Sequence, residues 1–127
     1  MGGTQFNGLA LVNELTQQGH DVTIVNRGKT EASLPEGVHR LYADRTDHAQ
    51  MRKVLGGLEF DVIHDMSAYH PDDVDLMVRL FKGHTDQYVF ASSTMVYAAA
   101  DLLPITEDHP IQRDSPQIEY GTNKLKC

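Results

Sequence analysis

The 127 residues carry 40% apolar and 23% charged side chains, the composition of one folded domain with a real core rather than of a disordered chain. A formal net charge of −7 argues against a broad polyanion-binding surface, because nucleic-acid binders concentrate a basic excess. No apolar run is long enough for a bilayer span and no leader peptide is visible, so no membrane association is expected. The single cysteine, Cys127, excludes a disulfide framework and makes a reducing cytoplasm the expected compartment.

In chain order, Gly8, Leu11, Val12 and Leu15 recur at the spacing of one helical face, and Gly19 ends that helix. Residues 21–26 (DVTIVN) read as a short buried strand, followed by a loop with Pro35 and Gly37. Residues 38–43 form the next predicted strand, 47–55 a helix and 60–64 (FDVIH) a third strand. Residues 71–81 form a helix with Pro71 in its first turn, and 87–91 a fourth strand. A loop with three prolines occupies 98–116, and a helix is predicted from 117 onward. Alternating strands and helices imply an α/β fold with a doubly wound parallel sheet of the Rossmann type, all of 1–127 being a partial dinucleotide-binding domain. The chain opens on the glycine turn that should follow a first strand and stops within the last helix. The expected sheet is therefore truncated, without its first strand and C-terminal part. Unpaired neighbouring strands and low stability in isolation follow from that expectation.

The first segment with chemistry is Gly2-Gly3-Thr4-Gln5-Phe6-Asn7-Gly8. A glycine turn opening a helix brings backbone N–H groups and the positive end of the helix dipole to a pyrophosphate. Gly2 serves the tight turn and Gly8 the close helix–sheet contact, although a plain β–α connection uses the same residues. Asn26 and Arg27 stand at the end of the next strand, where an acid would take the ribose hydroxyl of NAD. An arginine suits the 2′-phosphate of NADP, so NADP is favoured over NAD; an exposed arginine with no ligand is the competing interpretation. The seven histidines show no ligand spacing, and no metal is expected.

The second segment is Tyr120-Gly121-Thr122-Asn123-Lys124. Residues four apart share a helical face, and a cation beside a phenol favours the phenolate needed for proton transfer. With five tyrosines present, a chance Y-x-x-x-K is about a one-in-five event, so the pair alone is weak. The hydroxyls of Ser92, Ser93 and Thr94 follow a strand end, where open α/β sheets bind ligands, or else bond their own loop. Glycine turn, strand-end hydroxyls and Y-x-x-x-K in that order carry more weight than any one of them.

With these segments the chain resembles the NAD(P)-dependent epimerase/dehydratase family of extended short-chain dehydrogenases/reductases. GGTQFNG is similar to that family's GGTGFIG turn, DVIHDMSAY to its DVVIHLAA segment, and YVFASSTMVY and YGTNK to its active-site segments. The resemblance implies that Tyr120 is the acid/base, Lys124 its pKa-lowering partner and a cofactor-ribose ligand, and Ser93 the substrate-orienting hydroxyl. It implies cofactor contacts from Gly2, Thr4, Gln5, Phe6, Gly8, Asn26 and Arg27. It extends them to Asp44 and Arg45 in ADRTD and to Ser67, Ala68 and Tyr69. The implied activity is NADP- or NAD-dependent epimerisation, dehydration or reduction of a small-molecule substrate, a nucleotide sugar, in a protein that pairs as a homodimer. Gln5 in place of a glycine, together with the NRG, DRTD and SAY segments, is similar to an atypical branch that includes chloroplast stem-loop RNA-binding proteins. A non-catalytic RNA- or nucleotide-binding protein on the same scaffold is therefore the alternative.

Overall fold

Short apolar runs become strands and the 3.6-residue patterns become helices in the computed structural model, which describes residues 1–99, 103–111 and 119–127. The elements are α1 (Phe6–Gln17), β1 (Thr23–Asn26), β2 (His39–Tyr42), α2 (His48–Leu55), β3 (Phe60–Asp65) and α3 (Pro71–Phe81). They continue with β4 (Thr85–Phe90), a 3-10 turn (Thr94–Val96) and α4 (Glu119–Lys126). Parts of the proline-bearing loop and the predicted start of the last helix lie outside the described residues. β4 begins two residues earlier than its apolar run because Thr85 pairs with Phe60 across the ladder. Helix ends are fixed by local chemistry: Asp47 accepts from the Gln50 N–H at 2.9 Å at the start of α2, a cap worth about 1 kcal/mol. Asp73 accepts from the N–H groups of Tyr69 and His70, each at 3.1 Å, at the start of α3.

β1 pairs in parallel with β2, and β3 in parallel with β4. Instead of one continuous sheet there are two two-stranded pieces, since β1 and β3 are not hydrogen-bonded to each other. Among the described residues, only the first residues of the chain join them by backbone hydrogen bonds. The Met1 ammonium donates to His64 O at 2.6 Å, Met66 N–H donates to Met1 O at 3.2 Å, and Gly2 N–H donates to Val25 O at 3.0 Å. The pattern is that of a parallel strand with Met1 opposite Asp65.

The larger core lies where both pieces meet α2 and α3, with Met51, Leu55 and Met77 fully buried. Each such side chain contributes about 1.5–3 kcal/mol on leaving water. Val25 faces this core, whereas its neighbour Ile24 faces α1 with Val12 and Val22, as strand alternation requires. Among the described residues no helix is long and apolar enough to cross a membrane.

Candidate functional site

The glycine turn is shaped by backbone alone. Gly2 and Gly3 have φ of 90° and 103°, a region costly for residues with a Cβ. A Cβ on Gly3 would stand 3.0 Å from Ile24 Cγ2 and 3.1 Å from Val12 Cγ2. A Cβ on Gly8 would stand 3.0 Å from Gly3 N, so the helix sits directly on the turn. Gln5 provides no side-chain cap to α1, and its first turn holds no acid, which keeps the helix start available to an anion. Thr4 is half-buried, while Gln5 and Phe6 are exposed; Phe6 adopts φ 45° and is 89% exposed. Gly3 is as tightly enclosed as Gly8, and the doubled glycine is its signal in the sequence.

At the end of β1 the Asn26 carboxamide oxygen accepts from Gly28 N–H at 2.9 Å and from Arg40 Nη2 at 3.0 Å. The Asn26 Nδ2 is a buried donor with no partner among the described residues. Arg27 is exposed. Arg40, which no sequence motif marks, reaches Asn26 from the adjacent strand and lies 5.1 Å from the Tyr42 ring centroid. Knowing the β1–β2 register would have identified it, since Arg40 pairs with Ile24. The Asp44 carboxylate accepts from the Thr46 hydroxyl at 2.8 Å and its N–H at 3.1 Å, which hold its carboxyl below the usual range.

Arg45 turns inward. Its Nη1 and Nη2 donate to the two oxygens of Asp65 at 2.7 and 2.8 Å, and Nη1 also reaches Ser67 Oγ at 2.9 Å. Its Nε lies 3.4 Å from Asp73 Oδ1 without hydrogen-bond geometry. Asp65 is fully buried and also accepts from Tyr88 Oη at 2.6 Å and from Ser67 N–H at 3.1 Å. Burial alone would raise the Asp65 carboxyl. The Arg45 fork and the Tyr88 hydroxyl outweigh it and hold the group below its ordinary value. Burial, then the bond to Asp65, pushes the Tyr88 phenol well above the ordinary tyrosine range. Arg45 is thus engaged by Asp65, Ser67 and Asp73 together. Ser67 lies against Gly2, Ala68 is fully buried, and Tyr69 is 56% exposed.

The third group hangs from β4. Lys124 is only 5% exposed; its Nζ donates to Ala91 O at 2.6 Å and sits 4.6 Å from the Phe90 ring centroid, 5.5 Å from that of Tyr69 and 5.7 Å from that of Tyr120. Burial lowers its pKa. Tyr120 tilts against Tyr69 with ring centroids 5.6 Å apart and is 40% exposed. Gly121 explains the close approach of α4 to the 3-10 turn, since a Cβ there would collide with Met95 O. Ser93 starts that turn, its Oγ accepting from Met95 N–H at 3.2 Å. Lys124 and Tyr120 are therefore brought together, and the Gly121 contact sets the Ser93 turn against their helix. Among the described residues no hydrogen bond joins Ser93 to Tyr120, and no group of three metal-ligating side chains converges.

The sequence pattern of the NAD dependent epimerase/dehydratase family matches residues 1–127. The chain is 30% identical over 91% of its length to the chloroplast stem-loop binding protein of 41 kDa b of Arabidopsis thaliana, covering 34% of that protein. It is 29% identical over 98% of its length to 2′-dehydrokanamycin reductase of Streptomyces kanamyceticus, again covering 34%. Among solved structures, the UDP-glucose 4-epimerase of Bifidobacterium longum in complex with NAD+ and UDP superposes with a TM-score of 0.77. It is 24% identical and covers 97% of this chain and 44% of that one, which establishes a shared Rossmann-type fold. The chain spans about a third of the length of these curated relatives.

Proposed function

The chain belongs to the NAD dependent epimerase/dehydratase family, and on that premise we propose that it supplies the dinucleotide-binding and proton-transfer part of an oxidoreductase-type enzyme acting on a nucleotide sugar. The observation that carries this reading is the burial of the Lys124 ammonium within 5.7 Å of the Tyr120 ring centroid, on a helix locked to the Ser93 turn by Gly121. A buried cation beside a half-exposed phenol is costly for folding alone and useful for a proton that must leave and return.

The residues present fit a dinucleotide. Gly2, Gly3 and Gly8 form a cradle that side chains would fill, the start of α1 is without a side-chain cap, and the unpartnered Asn26 Nδ2 is a donor at the strand end. Ser67 lies against Gly2, and Tyr69 lies against Tyr120 and Lys124. When bound, the nicotinamide supplies acceptance and return of hydride. Tyr120 exchanges a proton between its Oη and a substrate hydroxyl, Lys124 favours the phenolate electrostatically, and Ser93 Oγ orients the same hydroxyl. NADP is the preferred nucleotide in this proposal, since Arg27 and Arg40 bring positive charge to the end of β1 and β1 itself ends in Asn26-Arg27 rather than in an acid.

The test is UDP-glucose turnover by the whole protein with Tyr120→Phe, alongside its dinucleotide affinity. A loss of at least about 100-fold in kcat with affinity retained is expected; unchanged kcat overturns the role of Tyr120. A second reading, RNA binding on the same scaffold, draws on the identity to the stem-loop binding protein and is opposed by the −7 charge. Filter binding of a stem-loop RNA that weakens steeply with salt would favour it, and absence of affinity would remove it.

A further inference from the structure

Asp65, Arg45 and Ser67 form a charged cluster at the end of β3 that the proton and hydride steps do not use. Asp65 is fully buried and the Arg45 side chain only 13% exposed. A buried ion pair stabilises a fold little more than apolar residues of the same volume would, so stability alone is a weak account of it.

Every N–H of the Arg45 guanidinium has a direction. Nη1 and Nη2 each give one to Asp65, at 2.7 and 2.8 Å. Nη2 gives its other to Asp73 O at 3.4 Å, and Nε faces Asp73 Oδ1 at 3.4 Å. The remaining N–H, on Nη1, donates to Ser67 Oγ at 2.9 Å. The Ser67 N–H in turn donates to Asp65 Oδ1 at 3.1 Å, so the ion pair grips this residue by backbone and side chain together. A hydroxyl has one hydrogen and two lone pairs. Arg45 takes a lone pair, and a guanidinium has no acceptor to offer in return. Among the described residues nothing accepts the Ser67 hydroxyl hydrogen. The adjacent cation makes that hydrogen a stronger donor and the oxygen a weaker acceptor. Its place is also fixed, since Ser67 Cβ and Oγ stand 3.6 and 3.8 Å from the point a Cβ would occupy on Gly2.

We propose that Asp65 and Arg45 are positioning residues that present the Ser67 hydroxyl as a fixed donor to a pyrophosphate oxygen of the dinucleotide at the glycine turn. The inference rests on the dinucleotide reading above and adds a side-chain donor to a cradle otherwise made of backbone N–H groups. The Asp65 and Arg45 charges offset one another, so the pair adds no net negative charge beside a diphosphate. Tyr88 donates at 2.6 Å to Asp65 Oδ2, the oxygen that Ser67 does not use, and so steadies the pair without touching the serine.

The experiment measures by calorimetry the affinity of the whole protein for NADP+, NAD+ and ADP, with a thermal melt of each variant. Ser67→Ala should weaken all three about tenfold, the worth of a hydrogen bond to a charged acceptor. Tyr88→Phe lowers the melt through Asp65 and should leave every affinity within about twofold, because Ser67 keeps both of its contacts. Arg45→Lys keeps a cation against Asp65 but loses the fork; it should weaken ADP about fivefold, and add nothing once Ser67 is replaced by alanine. ADP affinity unchanged in Ser67→Ala would overturn the inference, as would an equal loss in Tyr88→Phe. So would losses that simply add in the Arg45→Lys, Ser67→Ala double variant. A loss seen with the dinucleotides and absent with ADP would place the hydroxyl on the nicotinamide ribose and overturn it too. If Arg45→Lys does not fold, Ser67→Ala and Tyr88→Phe decide alone. No binding of ADP or either dinucleotide by the unaltered protein would overturn the dinucleotide reading itself, and the inference with it.

Discussion

The glycine turn and the end of β3 touch one another at Gly2 and Ser67, yet they achieve fixed geometry by opposite means. The turn is shaped by what is missing: no Cβ at Gly3 or Gly8, no acid in the first helical turn and no capping side chain at Gln5. The end of β3 is shaped by charge: Asp65, fully buried, holds Arg45, Tyr88 and the Ser67 backbone. The difference follows from task. A surface that receives a phosphate must leave its own donors free, whereas the wall beside it must not move and pairs its charges internally.

The contrast breaks most visibly at Asp65. Asp65→Ala leaves the Arg45 guanidinium, only 13% exposed, without its fork, and should cost about 3–5 kcal/mol in urea unfolding of the chain. A loss below about 1 kcal/mol would show that the network is not structural. Gly3→Ala strikes the other region. With φ at 103° and Ile24 Cγ2 only 3.0 Å from the new Cβ, it should cost about 2 kcal/mol and weaken dinucleotide binding. The Asp65 variant should lose more stability and the glycine variant more affinity per unit of stability lost; the reverse order would collapse the comparison.

Tyr88→Phe is milder, at about 1.5 kcal/mol, because it removes one hydrogen bond to a carboxylate that keeps its arginine. The smallest effects are in pH. The Asp65 carboxyl is depressed in the fold, so its contribution is full above the ordinary aspartate value of about 3.9 and fades as pH falls through the lower folded value. The Tyr88 phenol is raised, so its contribution is full below about 10 and fades as pH climbs above that. Melting temperatures measured across pH should fall at both extremes; Tyr88→Phe should flatten the alkaline limb and, by loosening the hold on Asp65, soften the acid limb to a smaller degree.

Much of the fold was legible because its elements carry simple periods. Leu11, Val12 and Leu15 mark one helical face, and β-branched runs with glycine between them mark β1 and β3. The glycine turn and the Tyr120–Lys124 pairing were legible for the same reason, being short and local. The Asp65 network was not, since its members come from residues 45, 65, 73 and 88 and only the β3–β4 pairing and the loop after β2 unite them. The available signal was an aspartate at the end of the apolar strand FDVIHD, a charge that burial requires something to answer. The resemblance of ADRTD to a ligand-facing segment does not reveal that Arg45 also bonds Asp65, because that neighbour is a fact of register.

The most direct test of the central claim, that the turn from Gly2 to Gly8 holds a dinucleotide, is an NMR titration of the 127-residue chain with NADP+ and NAD+, reading backbone amides. The account predicts that the amides of Gly2, Gly3 and the first turn of α1 shift most, together with Asn26, that NADP+ acts at lower concentration than NAD+, and that Gly3→Ala abolishes the effect. Unmoved turn amides with both nucleotides, or shifts as large in Gly3→Ala, would contradict it.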